Sequence, residues 1–150
     1  MNERSQRTLQ PTAAAYVAGL IDGEGTVTLS RRHANERRQL VVSIVSTERD
    51  ILDWVLAQIG VGKVTNKRTV SPRHAPSFTY SVSNRQALEL LRQVMPFLRS
   101  YKRIRASMAV DHYVAVTPRN GRYSPMQDAR RTQFEADFLA VKAGSTPLAN

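Results

Sequence analysis

Apolar and polar positions alternate along the chain in two periods, and the switches between them mark the elements. Residues 12–23 are rich in alanine and aliphatic side chains and predict a helix, with Thr12 as its N-cap. Residues 26–32, TVTLSRR, alternate and are partly β-branched, which predicts a strand. HANERR reads as a turn, and 39–46, QLVVSIVS, as a second strand. Ile51, Leu52, Val55, Leu56 and Ile59 form an i, i+4 stripe, so a helix is expected over 48–59, capped by Thr47 and stopped by Gly60 and Gly62. Residues 63–70 predict a third strand, SPRHAPS a turn, and 78–83, FTYSVS, a fourth strand. Asn84 is the expected cap of a helix over 85–95 that Pro96 ends. Further helices are expected over 101–116 and 126–142, joined by a loop at 117–125. Residues 1–11 read as a loose polar arm, 12–143 as one domain, and 144–150 as a flexible tail.

Helix, two strands, helix, two strands is an internal αββ repeat followed by helices. Short turns inside each strand pair imply antiparallel hairpins. The expected architecture is α+β: an αββαββα chain forming a curved four-stranded antiparallel sheet with helices on one face. Each strand then sends one set of side chains away from the helices. These sets are Thr28, Ser30 and Arg32; Gln39, Val41 and Ser43; Lys63, Thr65 and Lys67; and Thr79, Ser81 and Ser83. Hydroxyl, amide and basic groups of this kind hydrogen-bond to base edges and phosphates. A single such strand would read as a solvated face. Four that agree, flanked by Arg37 and Arg68, read as a DNA-contacting surface.

Charge strengthens that reading. Lys and Arg number 22 against 12 Asp and Glu, a formal net charge of +10 in 150 residues. Such an excess favours a polyanionic partner, either nucleic acid or an acidic membrane surface. Residues 1–50 are nearly balanced, so the basic surface is built mostly from later segments and the 31–38 region. No apolar run approaches the length of a membrane span, and the N-terminus lacks the apolar core of a signal peptide. Cysteine is absent, which removes disulfides and zinc–thiolate sites. An intracellular protein is the expectation.

Residues 16–25, YVAGLIDGEG, close the first helix with two acids, each followed by glycine. The helix dipole disfavours negative charge at that end. The stretch resembles the LAGLIDADG motif of homing endonucleases and related intron maturases, matched from Val17 to Gly25. Val17 stands for the leading Leu, Gly23 for Ala and Glu24 for the second Asp. The likeness extends over the following strand pair, IGVGKV at 59–64 and VMPFLRSYKR at 94–103, covering roughly residues 12–110.

The resemblance implies roles. Motif helices pack in pairs through small residues, which assigns Ala18, Gly19, Asp22 and Gly23 to a dimer interface. The eighth-position acid, Glu24, is implied as a ligand of Mg²⁺ (Mn²⁺ or Ca²⁺ can occupy such a site), with the Gly23 carbonyl beside it. Asp22 reads rather as a helix-end partner than as a ligand. In similar proteins a lysine soon after the Pro-Phe-Leu segment is implied in catalysis, neutralising charge near the leaving group; Lys102 matches best, with Arg99 and Arg103 as alternatives, and its other reading is a phosphate clamp without catalytic role. Thr47, or Ser46 or Arg49, is implied in the water network of catalysis. No second motif occurs, so one chain supplies one acid, and the resemblance implies a homodimer cutting a long pseudo-palindromic DNA site to leave 3′ overhangs. Double-stranded DNA and a second copy are the implied partners, with no membrane and no small-molecule substrate. The alternative is an RNA maturase or a non-cleaving DNA-binding regulator on the same fold. Loss of both acids would favour that alternative, and both are present. Arg119, Arg122 and Tyr123 read equally as phosphate contacts or as a solvated turn.

Overall fold

The computed structural model describes residues 5–67 and 72–145. Its elements run α1 (Pro11–Glu24), β1 (Gly25–Ser30), β2 (Gln39–Ser46), α2 (Arg49–Ile59), β3 (Lys63–Lys67), β4 (Ser77–Ser83), α3 (Asn84–Val94), a 3-10 turn (Met95–Phe97), α4 (Lys102–His112) and α5 (Pro125–Ala140). The four strands form one curved antiparallel sheet in the order β1-β2-β4-β3. α1, α2, α3 and α4 pack on one face of it. Strand periodicity sets that face: Val27, Leu29, Leu40, Val42, Ile44, Tyr80 and Val82 all point inward and are buried. Stripes from the helices meet them, among them Val17 and Ile21 of α1, Leu52 and Val55 of α2, and Leu88 and Leu91 of α3.

Element boundaries depart from the sequence reading where caps are concerned. α1 starts at Pro11, whose fixed φ suits the first helical position, so Gln10 and not Thr12 precedes it. Thr47 does not cap α2; the residue before the helix is Glu48, whose N–H donates to the Ser46 hydroxyl (3.0 Å). Ser83 precedes α3, and Asn84 is its first residue, with φ 56°. Asn tolerates this left-handed conformation because its short amide can bond locally, and here Asn84 Oδ1 accepts from the Tyr113 hydroxyl (3.0 Å). α2 ends as expected at Gly60, left-handed at φ 86°. β1 stops at Ser30, so Arg32 belongs to the turn. α4 ends at His112, short of 116. A capping box between Ser124 and Gln127 starts α5.

The loose arm expected over 1–11 is, over residues 5–10, a docked strap. Gln93 of α3 grips it twice, accepting from Leu9 N (2.6 Å) and donating to Arg7 O (3.3 Å). Arg7 N donates to Ile59 O (2.8 Å), and Leu9 is buried in the core.

α5 is held by charge as much as by apolar contact. Arg131, fully buried, bonds Thr117 Oγ1 (2.5 Å), the Arg38 carbonyl and Glu135, and stacks on Tyr113 and Phe134. Its five donors need that many acceptors once water is gone.

Candidate catalytic end and nucleic-acid interface

The last turn of α1 brings helix-end carbonyls that no further turn of the helix satisfies, together with Asp22 and Glu24, to the rim of the sheet. α4 neutralises this end. Lys102, only 8% exposed, donates from Nζ to Ile21 O (2.8 Å) and Asp22 O (2.9 Å). In return Asp22 covers the approach to α4: its carboxylate accepts from Arg99 N (2.8 Å), Ser100 N (3.1 Å) and Ser100 Oγ (2.5 Å). The two helix ends thus cap each other across 80 residues of sequence. Burial would raise the Asp22 pKa, but the Ser100 hydroxyl and the two N–H groups outweigh it and hold the carboxyl below its usual range. Burial pulls the Lys102 ammonium below its usual pKa, while the charges of Asp22 and Glu24 oppose the fall.

This geometry bears on the expected roles. Lys102 is nearly buried and bonded to the helix end, which braces the motif turn in the free chain; Arg99 and Arg103 on either side of it are exposed. Asp22 is the helix-end partner the sequence suggested, and its carboxylate is therefore used inside the chain and leaves the expected dimer set. Ala18 leaves that set too, being fully buried under α1 beside Val17 and Ile21. The exposed strip of small residues is Ala15, Gly19 and Gly23, four apart on the opposite face.

Glu24 differs from its neighbours. It is exposed, and among the described residues it makes no hydrogen bond or ion pair. No group of three or more His, Cys, Asp or Glu gathers among those residues. One chain therefore offers one free carboxylate beside the backbone of Gly23. Such hard oxygen donors suit Mg²⁺ or Ca²⁺, but they are too few for a complete shell from one copy.

Directly after Glu24 the chain enters β1 through a close approach. A Cβ on Gly25 would lie 2.7 Å from both Ile21 Cα and Ser43 O. Backbone on both sides leaves no flexible side chain to yield. Gly25→Ala is expected to lose about 2 kcal/mol in urea unfolding; a change within about 0.5 kcal/mol would show that the junction relaxes freely.

Cross-strand register arranges the outer face in rows. Thr26, Ser43, Ser81 and Lys63 lie side by side across all four strands, and Thr26 shares a 2.6 Å hydroxyl contact with Ser43. Thr28, Val41 and Ser83 form the next row, Ser30 pairs with Gln39 beyond it, and Thr79 pairs with Thr65. The expected face residues Thr28, Ser30, Gln39, Val41, Ser43, Lys63, Thr65, Thr79 and Ser81 are thus brought together. Lys67 closes β3 opposite Ser77; its side chain and the whole of Arg68 lie outside the described residues. Thr26, next to the acid, was missed, although the alternation that marks β1 begins with it. Thr47 is exposed, three residues past Gly25's partner Ile44, about 10 Å along the strand direction. Arg49 is drawn to Asp53 (3.6 Å) and over the Phe78 ring. Arg37 is a correction: its guanidinium turns to α5, pairing with Asp128 and Glu135 and stacking on Tyr123. It is unavailable to the sheet face.

The same arrangement of elements occurs in solved structures. The homing endonuclease I-CvuI in complex with its target in the presence of Ca superposes with a TM-score of 0.71 at 18% identity, over 93% of this chain and 87% of that one. The archaeal intron-encoded homing endonuclease I-Vdi141I, complexed with DNA, gives 0.60 at 16% identity over 93% and 89%. The LAGLIDADG meganuclease I-AabMI bound to uncleaved DNA gives 0.63 at 18% over 89% of this chain and 46% of that one. The chain has the LAGLIDADG homing-endonuclease fold. No protein-family model matches its sequence, and no curated protein matches it either. In a LAGLIDADG fold the motif helix is α1, and its last turn is the one that Lys102 and Asp22 lock.

Proposed function

We propose that the protein is a metal-dependent, site-specific DNA endonuclease that works as a homodimer on a long pseudo-palindromic duplex and leaves 3′ overhangs. The observation that carries this reading is Glu24: a free carboxylate held on a buttressed helix end, at the margin of a hydroxyl-lined sheet face in a chain of net charge +10. DNA lies on the sheet face in this reading, and the rows of Ser, Thr, Gln and Lys hydrogen-bond to bases and phosphates.

Two copies meet along Ala15, Gly19 and Gly23, whose lack of bulk allows close helix approach. Tyr16, 51% exposed and edge-on to Trp54 with ring centroids 5.1 Å apart, borders that strip and widens the contact. The two-fold axis then sets two Glu24 carboxylates together, one per copy. Mg²⁺ bound there would polarise the scissile phosphate and lower the pKa of an attacking water. Glu24 and the Gly23 carbonyl would hold the ion, and Lys102 and Asp22 keep their turn from moving.

The test is incubation of the purified protein with a pooled library of near-palindromic duplexes, in Mg²⁺ and in Ca²⁺, with sedimentation to give the oligomeric state. Defined double-strand cuts in Mg²⁺ by a dimer are expected. Binding without cutting in any divalent metal would move the protein to the regulator or maturase class.

A further inference from the structure

α4 turns two cations inward, Lys102 and Arg105, three positions apart and so neighbours on one side of the helix. Lys102 holds the chain just before Glu24, at the carbonyls of Ile21 and Asp22. Arg105 holds it just after. Its Nη1 donates to the carbonyl of Val27 (2.9 Å), three residues past Glu24. β1 is an edge strand, so its outward carbonyls need partners from beyond the sheet, and that of Val27 has Arg105.

The rest of the guanidinium faces the end of α5. Nε donates to the Val141 carbonyl (3.0 Å) and Nη2 to the Leu139 carbonyl (3.5 Å). The rings of Tyr101 and Phe138 flank it at 5.4 and 5.2 Å. One planar fork thus joins α4, the end of α5 and the start of β1. An ammonium is a single point donor and could not bond both elements with this geometry. All three nitrogens are bonded inside the chain, which sets Arg105 apart from the exposed Arg99 and Arg103.

Between the two holds the chain has no slack. Gly25 N donates to the Ile21 carbonyl, which also accepts from Lys102. A Cβ at Gly25 would meet Ile21 Cα and Ser43 O, so the helix end and the strand pack backbone against backbone. Close-packed backbone transmits a displacement and does not absorb it. A shift of β1 at Val27 is therefore felt at the turn that carries Glu24. The Glu24 side chain is exposed and has no hydrogen-bond or ion-pair partner among the described residues, so the backbone alone sets its place.

We propose that Arg105 is a positioning residue for Glu24: it pins β1 on one side of the motif turn as Lys102 pins α1 on the other, and makes the end of α5 part of that support. The importance of Glu24 rests on the nuclease reading above, but the brace does not. The competing reading is a cap for the last carbonyls of α5 and nothing more.

The experiment is amide hydrogen exchange on the free full-length protein, with cleavage and binding assays on the same preparations. The Gly25 amide reports the motif turn. The Val141 amide, bonded to Phe138 O (3.2 Å), reports the end of α5, and Leu90 in α3 reports the core. Arg105→Met keeps the apolar stem. Its exchange at both Gly25 and Val141 is expected to rise about tenfold, at a temperature where Leu90 stays protected. Single-turnover cleavage of a duplex that wild type cuts should slow by a factor on the order of ten to a hundred, since a small misplacement suffices. Affinity for that duplex in Ca²⁺ should stay within about twofold. Val55→Ala, a buried substitution in α2, should lower Tm without loosening Gly25 ahead of Leu90 and without separating rate from affinity. If Arg105→Met does not fold, Arg105→Lys is read in the same way, because one point donor cannot span Val27 and α5. A rise at Val141 with Gly25 unchanged would reduce Arg105 to a helix cap and overturn the proposal. A loss of rate matched by an equal loss of DNA affinity would also overturn it. A wild type that cuts no duplex would remove the nuclease reading instead, and exchange at Gly25 would still decide whether the brace exists.

Discussion

Glu24→Gln should bind duplex DNA at least as well as wild type and cut it on the order of a thousandfold more slowly, or not at all. Glutamine keeps the length and shape of the side chain and removes only its charge. Because Glu24 is exposed and without a partner among the described residues, no packing or hydrogen bond is lost with it. Stability should stay within about 0.5 kcal/mol. Removing the acid relieves the negative end of α1 and gives up its attraction for the Lys102 ammonium, two small effects of opposite sign. Affinity for DNA should hold or improve, since a carboxylate beside a phosphate repels it. Single-turnover cleavage with enzyme in excess, a mobility-shift titration and a thermal melt on the same preparation separate these effects. A glutamine variant that cuts at the wild-type rate would sink the assignment and require another carboxylate. Asp22 is then a poor substitute, because its oxygens already serve Arg99 and Ser100.

How much of this was legible in the sequence follows from the range of each interaction. Strand alternation is local, so β2 was placed at 39–46 with its faces correctly oriented, and the outer rows of the sheet followed from it. The burial of Ala18 was also within reach. Ala14, Val17, Ala18 and Ile21 are spaced i, i+3, i+4, i+7 and form one stripe, which leaves Ala15, Gly19 and Gly23 for the other side. The motif's small residues drew attention away from that simple periodicity. Caps were misplaced by one or two residues because the usual preference for Ser, Thr and Asn pointed to Thr12, Thr47 and Asn84, whereas these three helices start without a side-chain cap, after Gln10, Glu48 and Ser83. The remaining surprises are long-range. Gln93 holds the strap from 84 residues away, Arg37 reaches α5 across 91 and 98 residues to Asp128 and Glu135, and Lys102 reaches α1 across 81. Gln93 had no assigned role, Arg37 was expected on the DNA-contacting face and Lys102 near the leaving group, and none of those readings contains a partner inside the chain. Nothing in a single sequence says which cation will be used up inside the fold, and this is why Arg37, expected at the DNA, and Lys102, expected near the leaving group, are found engaged by α5 and by the end of α1.

Lys102→Met provides the sharpest separation between a buttress and a phosphate-facing cation. Methionine replaces the aliphatic stem at similar volume, so the apolar packing of α4 against α1 is largely kept. What disappears is an ammonium that bonds two helix-end carbonyls and offsets two acids. Removing one partner of a buried charged arrangement typically costs about 3–5 kcal/mol. Since Asp22 keeps its three hydrogen bonds and Glu24 remains in water, the lower part of that range is expected, about 3 kcal/mol. For a chain of this length that is a fall in Tm of about 6–12 °C. Cleavage should fail in parallel, because the last turn of α1 carries Glu24 and loses its fixed position. Lys102→Arg should recover part of the stability, as its planar fork can still donate to one carbonyl but does not fit the pocket of a single Nζ. A lysine whose task was to meet the phosphate would behave differently. Its replacement would leave Tm within about 1–2 °C and depress only cleavage and the salt dependence of binding. Urea unfolding of the free protein decides between them before any DNA is added, since only a buttress is felt when no phosphate is present.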